Sequence, residues 1–128
     1  MPEYFHKQKK IKASWRAVQI WQILVGCAHN QQLITYGQIA KILGYNGAGT
    51  MNELIGRIMY YCQDNKLPPL SILAINIKDG TPGEGFELDT NIFETLDEAR
   101  MKVFHTKWYK IIPPSAEEFE DIWKKHEK

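Results

Sequence analysis

The cysteines and histidines are the residues of this chain that could act as nucleophiles or metal ligands. Cys27 and Cys62 fall on the apolar faces of predicted helices, and the four histidines are scattered from residue 6 to residue 126. None of these residues forms an HxH, HExxH or CxxC pattern, the short spacings from which metal sites are usually built. A thiol without a basic neighbour stays protonated and unreactive. The sequence therefore predicts no metal, no cofactor and no catalytic residue, with reduced cysteines in a cytoplasmic protein.

The segment GTPGEGF at residues 80–86 has the spaced glycines of a phosphate-binding loop. It follows a predicted strand, however, and it neither opens a helix nor precedes a Lys-Ser/Thr pair. Asp79, Glu84 and Glu87 surround it with three acids. These three acids could form an acidic catalytic cluster, but a solvated hairpin tip explains them more simply. We predict a turn here and not a phosphate site.

Polar side chains on the third predicted helix have the chemistry of nucleic-acid recognition. Asn52, Arg57 and Tyr60 lie off the apolar face of that helix, and asparagine and arginine are good readers of base edges. Lys78 follows in the next turn, where it could contact a phosphate. Glu53 shares the same helix face and would repel phosphates. The pattern therefore predicts modest, salt-sensitive binding of duplex DNA.

Capping signals place these residues on two short helices joined by a glycine-containing turn. Thr35 with Gln38, and Thr50 with Glu53, form two capping boxes. Gly44 suits the left-handed residue that ends the first of the two helices. Two capped helices joined in this way are typical of a helix-turn-helix.

The remaining elements are predicted from periodicity and from chain breaks. Ser14 caps a first helix that runs to His29, and Thr95 and Ser115 each begin a C-terminal helix. Residues 70–77 read as a strand, and residues 86–88 as the return strand of an antiparallel hairpin. The predicted fold class is α+β: a mainly helical winged helix-turn-helix with a small antiparallel hairpin and two C-terminal helices.

Several of these segments resemble the C-terminal winged-helix domain of alkylguanine DNA alkyltransferases and of the non-enzymatic alkyltransferase-like proteins. The matching segments are ITYGQIAKILG, ELIGRIM, Leu-Pro-Pro and the turn that runs from Asp79-Gly80 to Gly85-Phe86, within roughly residues 15–88. The resemblance implies a DNA-binding winged helix, with Tyr36 at the position of the family's phosphate-contacting tyrosine.

The chain departs from this family at two positions that matter for chemistry. The Pro-Cys-His-Arg motif, which holds the family's alkyl-accepting cysteine, should fall in SILAINIK, and none of its four residues is there. Glu53 stands where the family has the arginine that replaces a flipped-out base. The resemblance therefore implies a non-enzymatic DNA-binding protein that transfers no alkyl group and flips no base.

Domain organisation and charge leave a second function open. We predict a flexible basic arm over residues 1–12, with Lys9 and Lys10 as further DNA contacts, and a single winged-helix-like domain with a C-terminal helical extension over residues 13–128. Residues 1–66 hold eight Lys/Arg against three acids, and residues 67–128 hold eight against twelve. The acidic second half and the aromatic residues also fit a protein–protein interaction module, with Trp108 and Tyr109 as surface candidates. No apolar run is long enough to predict a membrane span.

Overall fold

The computed structural model describes residues 11–45, 51–83 and 85–127. The first helix, α1, spans Lys12–His29 and therefore begins before the predicted cap. Ser14 lies buried inside α1, where its hydroxyl donates to Glu120 Oε1 at 2.8 Å. The prediction that Ser14 caps this helix is wrong, because its hydroxyl bonds to a carboxylate from the far end of the chain. Lys12 belongs to α1 and not to the predicted arm, whose residues 1–10 lie outside the described ranges.

The predicted second helix is confirmed with its caps. Strand β1, Ile34–Thr35, leads directly into α2, Tyr36–Leu43. The Gln38 backbone N–H donates to Thr35 Oγ1 at 3.0 Å, and the Thr35 N–H donates to Gln38 Oε1 at 2.9 Å. Gly44 ends the helix with φ at 84°, a conformation that costs least for glycine.

The third helix, α3, spans Met51–Asp64 and packs chiefly on α1 and on the C-terminal helix. Its predicted cap, Thr50, lies outside the described residues. Residues on two sides of α3 are buried: Leu54, Ile58 and Cys62 towards the core, and Arg57 towards the C-terminal helix. The rest of the protein therefore covers α3 more fully than it would cover a DNA-recognition helix, which keeps one face free.

The strand predicted over residues 70–77 is wrong in its first half. Leu70–Leu73 form a 3₁₀ helix, and only Ala74–Ile75 form a strand, β2. All four residues of the 3₁₀ helix are buried. A run that is apolar on every side carries no alternating face, so its pattern does not distinguish a strand from a tight helix.

The predicted antiparallel hairpin is also wrong. β2 pairs in parallel with β1, with Ile34 opposite Ala74 and Thr35 opposite Ile75. The chain then turns sharply, and within this turn the Gly80 N–H donates to the Asn76 carbonyl at 2.9 Å. An isolated antiparallel bridge joins Ile75 to Pro82. The expected return strand at residues 86–88 has no strand structure.

Two helices complete the chain, as predicted. Helix α4 spans Leu96–His105, with Thr95 Oγ1 accepting the Glu98 N–H at 3.1 Å. A short 3₁₀ turn, Trp108–Lys110, follows, and then helix α5, Ala116–His126, with a complete capping box of Ser115 and Glu118.

The core is centred on Trp21 of α1. Tyr61 and Trp108 both meet its ring edge-on, with centroids 5.7 Å away in each case, and Phe119 of α5 lies against it. The prediction that Trp108 lies at the surface is wrong, because it is 3% exposed and donates from Nε1 to the Val103 carbonyl. Its neighbour Tyr109 is exposed, as predicted.

The architecture is a helical bundle with a two-stranded parallel sheet at one edge, which fits the α+β class. Among the described residues, α2 and α3 share the core but do not carry an antiparallel wing. None of the helices in the described ranges has the length and apolar character needed to cross a membrane.

Candidate binding pocket

Arg57, predicted to read a base edge, is instead an internal residue. Only 6% of it is exposed. Its Nε donates to Ser14 Oγ at 3.1 Å, its Nη1 donates to the Glu53 carbonyl at 2.7 Å, and its guanidinium carbon lies 4.3 Å from the Trp123 ring centroid. Burial lowers the pKa of Arg57, although nearby carboxylates, Glu120 first, oppose this effect. The prediction that Arg57 faces outward is wrong, because α5 covers this side of α3.

The other predicted contact residues lie in different surroundings. Lys9 and Lys10 fall outside the described residues, and Lys78 is exposed in the turn after β2. Asn52 is exposed near the start of α3, whereas Tyr36 and Tyr60 are half-buried. Nothing in the fold places Lys78 beside the other three.

Tyr36, Asn52 and Tyr60 line one pocket, although Tyr36 lies on α2 and the other two lie on α3. The pocket has a volume of about 180 Å³, and its walls are mainly apolar. It lies between the first turns of α2 and α3, the 3₁₀ helix at Leu70–Leu73, the segment at residues 85–86, and α5. Its lining residues are Tyr36, Asn52, Glu53, Ile55, Gly56, Met59, Tyr60, Ser71, Gly85, Phe86 and Trp123.

Two glycines permit the close contacts that shape this pocket. A Cβ on Gly83 would overlap the Tyr36 hydroxyl and lie 2.6 Å from Tyr36 Cζ, so only glycine lets the 82–83 backbone rest on this ring. A Cβ on Gly56 would lie 3.0 Å from Trp123 Cζ3, so the missing side chain allows the indole close to α3. Gly83 and Gly56 therefore allow Tyr36 and Trp123 to form walls of the pocket.

The hydroxyl of Tyr36 is a polar group at the edge of an otherwise apolar pocket wall. Burial raises the pKa of Tyr36 and outweighs the backbone N–H of Gly83, which donates towards the phenol oxygen and lowers that pKa. The hydroxyl therefore keeps its proton at neutral pH and is available as a donor as well as an acceptor.

Ser71 supplies an unpaired polar atom in the pocket wall. The residue is 3% exposed, and its Oγ has no hydrogen-bond partner among the described residues. A buried hydroxyl without a partner carries a desolvation cost of about 1–3 kcal/mol. Ser71 therefore places an unsatisfied hydroxyl at the pocket lining, with almost no surface of its own open to solvent.

The opposite wall is aromatic. The Tyr60 ring stacks on the His126 ring with centroids 4.2 Å apart and planes 4° from parallel. It also lies against Trp123, with centroids 6.0 Å apart. Phe86 comes from the segment after Gly85, so three aromatic residues from separate elements enclose the space.

Carboxylates dominate the charge around the pocket. Glu53 is part of the lining and is exposed. Desolvation raises the pKa of Tyr60, and the charges of Glu127 and Glu87 raise it further. Two cations, Arg57 and Lys124, each lie 3.9 Å from Glu120, which leaves Glu53, Glu87 and Glu127 without a salt bridge among the described residues. The mouth of the pocket is therefore net negative.

The cysteines lack the environment of a reactive nucleophile. Cys62 is 1% exposed, and burial raises its pKa to about 12 despite a backbone hydrogen bond from Leu70. Burial also raises the pKa of Cys27. In the part of the chain that the structure describes, no three His, Cys, Asp or Glu residues cluster where they could hold a metal ion.

Sequence reasoning did not identify Ser71, Phe86 or Trp123 as parts of this site. Each comes from a different element outside α3, so no helical spacing connects them with Asn52 and Tyr60. One signal was present: Gly56 interrupts a helix that otherwise has bulky residues on all sides, and such a glycine marks a close approach.

Comparison with known proteins yields no relative for this chain. No family model, no curated protein and no solved structure matches it. The resemblance to alkyltransferase-like proteins therefore stays a prediction from short motifs.

Proposed function

We propose that this chain is a non-enzymatic protein-interaction module that takes one side chain of a partner protein into the pocket between α2, α3 and α5. The observation that carries the proposal is the convergence of Tyr36, Asn52 and Tyr60 on an apolar, ring-sized space with an unpaired hydroxyl, Ser71 Oγ, in its wall.

The size of the pocket favours a group on a larger molecule over a free metabolite. Pockets for drug-sized ligands run from about 300 to 1,000 Å³, whereas this one is about 180 Å³. An apolar cavity of about 150 Å³ is known to hold benzene. One ring-sized group supplies limited affinity alone, so contacts outside the pocket must contribute the rest.

The surrounding charge favours a protein over a nucleic acid. DNA binding draws most of its affinity from cations placed on phosphates. The pocket instead carries Glu53 in its lining, with Glu87 and Glu127 close enough to raise the pKa of Tyr60. A phosphate backbone over this mouth would meet repulsion, and a basic peptide segment would be attracted.

Selection from a random peptide display library tests this proposal. We expect enriched segments to share one anchoring side chain and to lose binding on Gly83→Ala, because the added methyl displaces the Tyr36 ring. Gly37→Ala is the matched control, since a Cβ there meets nothing closer than 4.0 Å. Phe86→Ala, which removes a wall without adding bulk, repeats the test with a variant that leaves Gly83 in place.

The proposal is overturned if selected segments bind the parent, Gly83→Ala and Phe86→Ala equally, with all three folded by circular dichroism. It is equally overturned if repeated selection enriches no segment.

Duplex DNA is the second candidate partner, and it is favoured by α2 and α3, which occur in the order that a helix-turn-helix uses. Asn52, a residue type that reads base edges, is exposed near the start of α3. Deleting residues 1–10 would then lower DNA affinity and flatten its salt dependence, because Lys7, Lys9 and Lys10 would no longer release counterions. Titration of a fluorescent duplex at two salt concentrations measures both effects.

A further inference from the structure

We propose that the side chain held in this pocket is arginine. This inference rests on the proposed function and names its ligand chemistry. It is argued below from hydrogen-bonding capacity, from the aromatic walls and from charge.

Hydrogen-bonding capacity points to a ligand rich in donors. The Glu53 carboxylate in the lining only accepts hydrogen bonds, and the Asn52 side-chain carbonyl, the Tyr36 hydroxyl and the unpaired Ser71 Oγ can each accept one as well. Guanidinium has five N–H donors and no acceptor, so its polar atoms can each donate to acceptors of this kind and none of them would face another acceptor unsatisfied. A nucleobase brings acceptors of its own together with a charged backbone, and both match these walls less well.

The aromatic walls point to a planar cation. Tyr60, Phe86 and Trp123 offer ring faces and edges around a space of about 180 Å³. Guanidinium is flat, stacks on aromatic rings and is weakly hydrated, whereas the lysine ammonium is compact and strongly hydrated. Arginine therefore uses these walls more fully than lysine.

The protein already binds one guanidinium, that of Arg57, against the same indole. Arg57 lies 4.3 Å from the Trp123 ring centroid, donates to Ser14 Oγ and donates to the Glu53 carbonyl. A serine hydroxyl, an indole ring and the backbone carbonyl of Glu53 thus bind this internal arginine together. The pocket repeats these parts with Ser71, the exposed part of Trp123 and the Glu53 carboxylate.

The charge of Arg57 does not cancel the attraction of the pocket for a second cation. Four carboxylates act in this region: Glu120, Glu53 and Glu127 on Arg57, and Glu87 and Glu127 on Tyr60. Arg57 and Lys124, which both pair with Glu120, are two cations against these four carboxylates, so an excess of negative charge remains and favours an incoming cation.

Titration of the full ¹⁵N-labelled chain with three short peptides tests the inference. The probes are acetyl-Gly-Arg-Gly-amide, the same peptide with citrulline, and the same peptide with lysine. Citrulline has nearly the shape of arginine without its charge. We expect saturable shifts at Tyr36, Asn52 and Phe86 with arginine, and binding weaker by about tenfold with citrulline.

Variants of the pocket provide the matched comparison. Glu53→Gln and Ser71→Ala should each weaken arginine binding by about three- to tenfold. Glu94→Gln makes the same charge change outside the lining and should leave the affinity unchanged. Ser71→Ala also tests folding: it removes an unsatisfied atom, so its thermal stability should equal or exceed that of the parent.

Equal binding of citrulline and arginine, or shifts confined to residues outside the lining, would overturn the inference. If display selection yields pocket-dependent segments anchored by a neutral side chain, the proposed function stands and the arginine assignment fails. If no selected segment depends on the pocket, the proposed function fails first.

Discussion

Arg57 joins three helices through a single guanidinium group. It donates to Ser14 on α1 and to the Glu53 carbonyl on α3, and it rests on Trp123 of α5 with Glu120 at 3.9 Å. A buried charge with this many partners stabilises a fold little on its own, but removing it leaves the partners uncompensated. Its role is therefore to fix how α5 lies against α3.

Replacing Arg57 by alanine should lower the free energy of unfolding by about 2–4 kcal/mol, because Glu120, Ser14 and the Glu53 carbonyl each lose one partner and the indole of Trp123 loses its contact. Urea denaturation measures the change. Lys41→Ala, at an exposed position of α2, should change it by less than about 0.5 kcal/mol. An Arg57→Ala variant as stable as the parent would show that the guanidinium is not part of the packing.

Arg57 also shows what the sequence of one helix can and cannot reveal. Its position off the apolar stripe of α3 is real, but a second helix covers that side. The periodicity of a helix sequence shows which of its faces is apolar. It does not show that a polar face, here the one with Arg57, is covered by another helix such as α5. Asn52 and Tyr60 were predicted as DNA contacts from the same pattern, and Tyr36 from the resemblance to the alkyltransferase domain. The three line one pocket, and their contact with DNA stays a prediction.

At the level of elements, the end of α5 is held to the end of α3 by Asp64. Lys125 Nζ lies 3.1 Å from Asp64 Oδ2, and His126 Nε2 lies 3.0 Å from Asp64 Oδ1. Partial burial alone would raise the pKa of Asp64, but the hydrogen bonds from Lys125 and His126 outweigh it and hold this pKa below its usual 3.8. The contact keeps His126 stacked on Tyr60, the aromatic wall of the pocket.

A depressed carboxyl pKa stabilises the fold above the unfolded-state pKa, and this stability is lost as pH falls through the folded-state value. Asp64→Asn should therefore cost up to about 1 kcal/mol at neutral pH and nothing once the pH is well below 3.8. Hydrogen exchange of the α5 amides should accelerate in the variant at neutral pH. A penalty that stays constant down to low pH would exclude this ionic contact.

Local signals predicted the helices well and the sheet poorly. The capping boxes at Thr35 and Ser115 depend on residues three positions apart, so the sequence contains the whole interaction. The parallel pairing of Ile34 with Ala74 joins strands of two residues that are forty positions apart. Such short strands have no periodicity of their own, and their partners are chosen by tertiary packing.

At the scale of the whole molecule, the fold raises the pKa of both thiols, with Cys62 buried and Cys27 half-buried. Cys62 lies in the core with a pKa of about 12, and burial also raises the pKa of Cys27. At neutral pH almost no thiolate forms at either position, and the thiolate is the reactive species. This agrees with the absence of an acceptor motif in SILAINIK.

Incubation of the native protein with duplex DNA containing alkylated guanine should leave its intact mass unchanged. A thiol-specific reagent should modify Cys62 only as fast as the protein unfolds, so its rate should rise steeply with urea. A stoichiometric mass increase on Cys27 or Cys62 from the alkylated DNA would contradict both the burial argument and the non-enzymatic assignment.

The distribution of charge over the molecule separates the two candidate partners. The net charge is +1, yet the pocket faces carboxylates. A charge reversal at Glu53 should therefore act in opposite directions on a basic protein segment and on DNA. Both partners can be compared in one buffer by fluorescence anisotropy.

The most direct test is the affinity of the Glu53→Arg variant, relative to the parent, for a display-selected segment and for a mixed-sequence duplex, with Glu94→Arg as the control for net charge. We predict that Glu53→Arg weakens segment binding by about tenfold or more and raises any binding to the duplex. Unchanged or tighter segment binding, together with a parent that prefers the duplex, would contradict the assignment of the pocket to a protein partner.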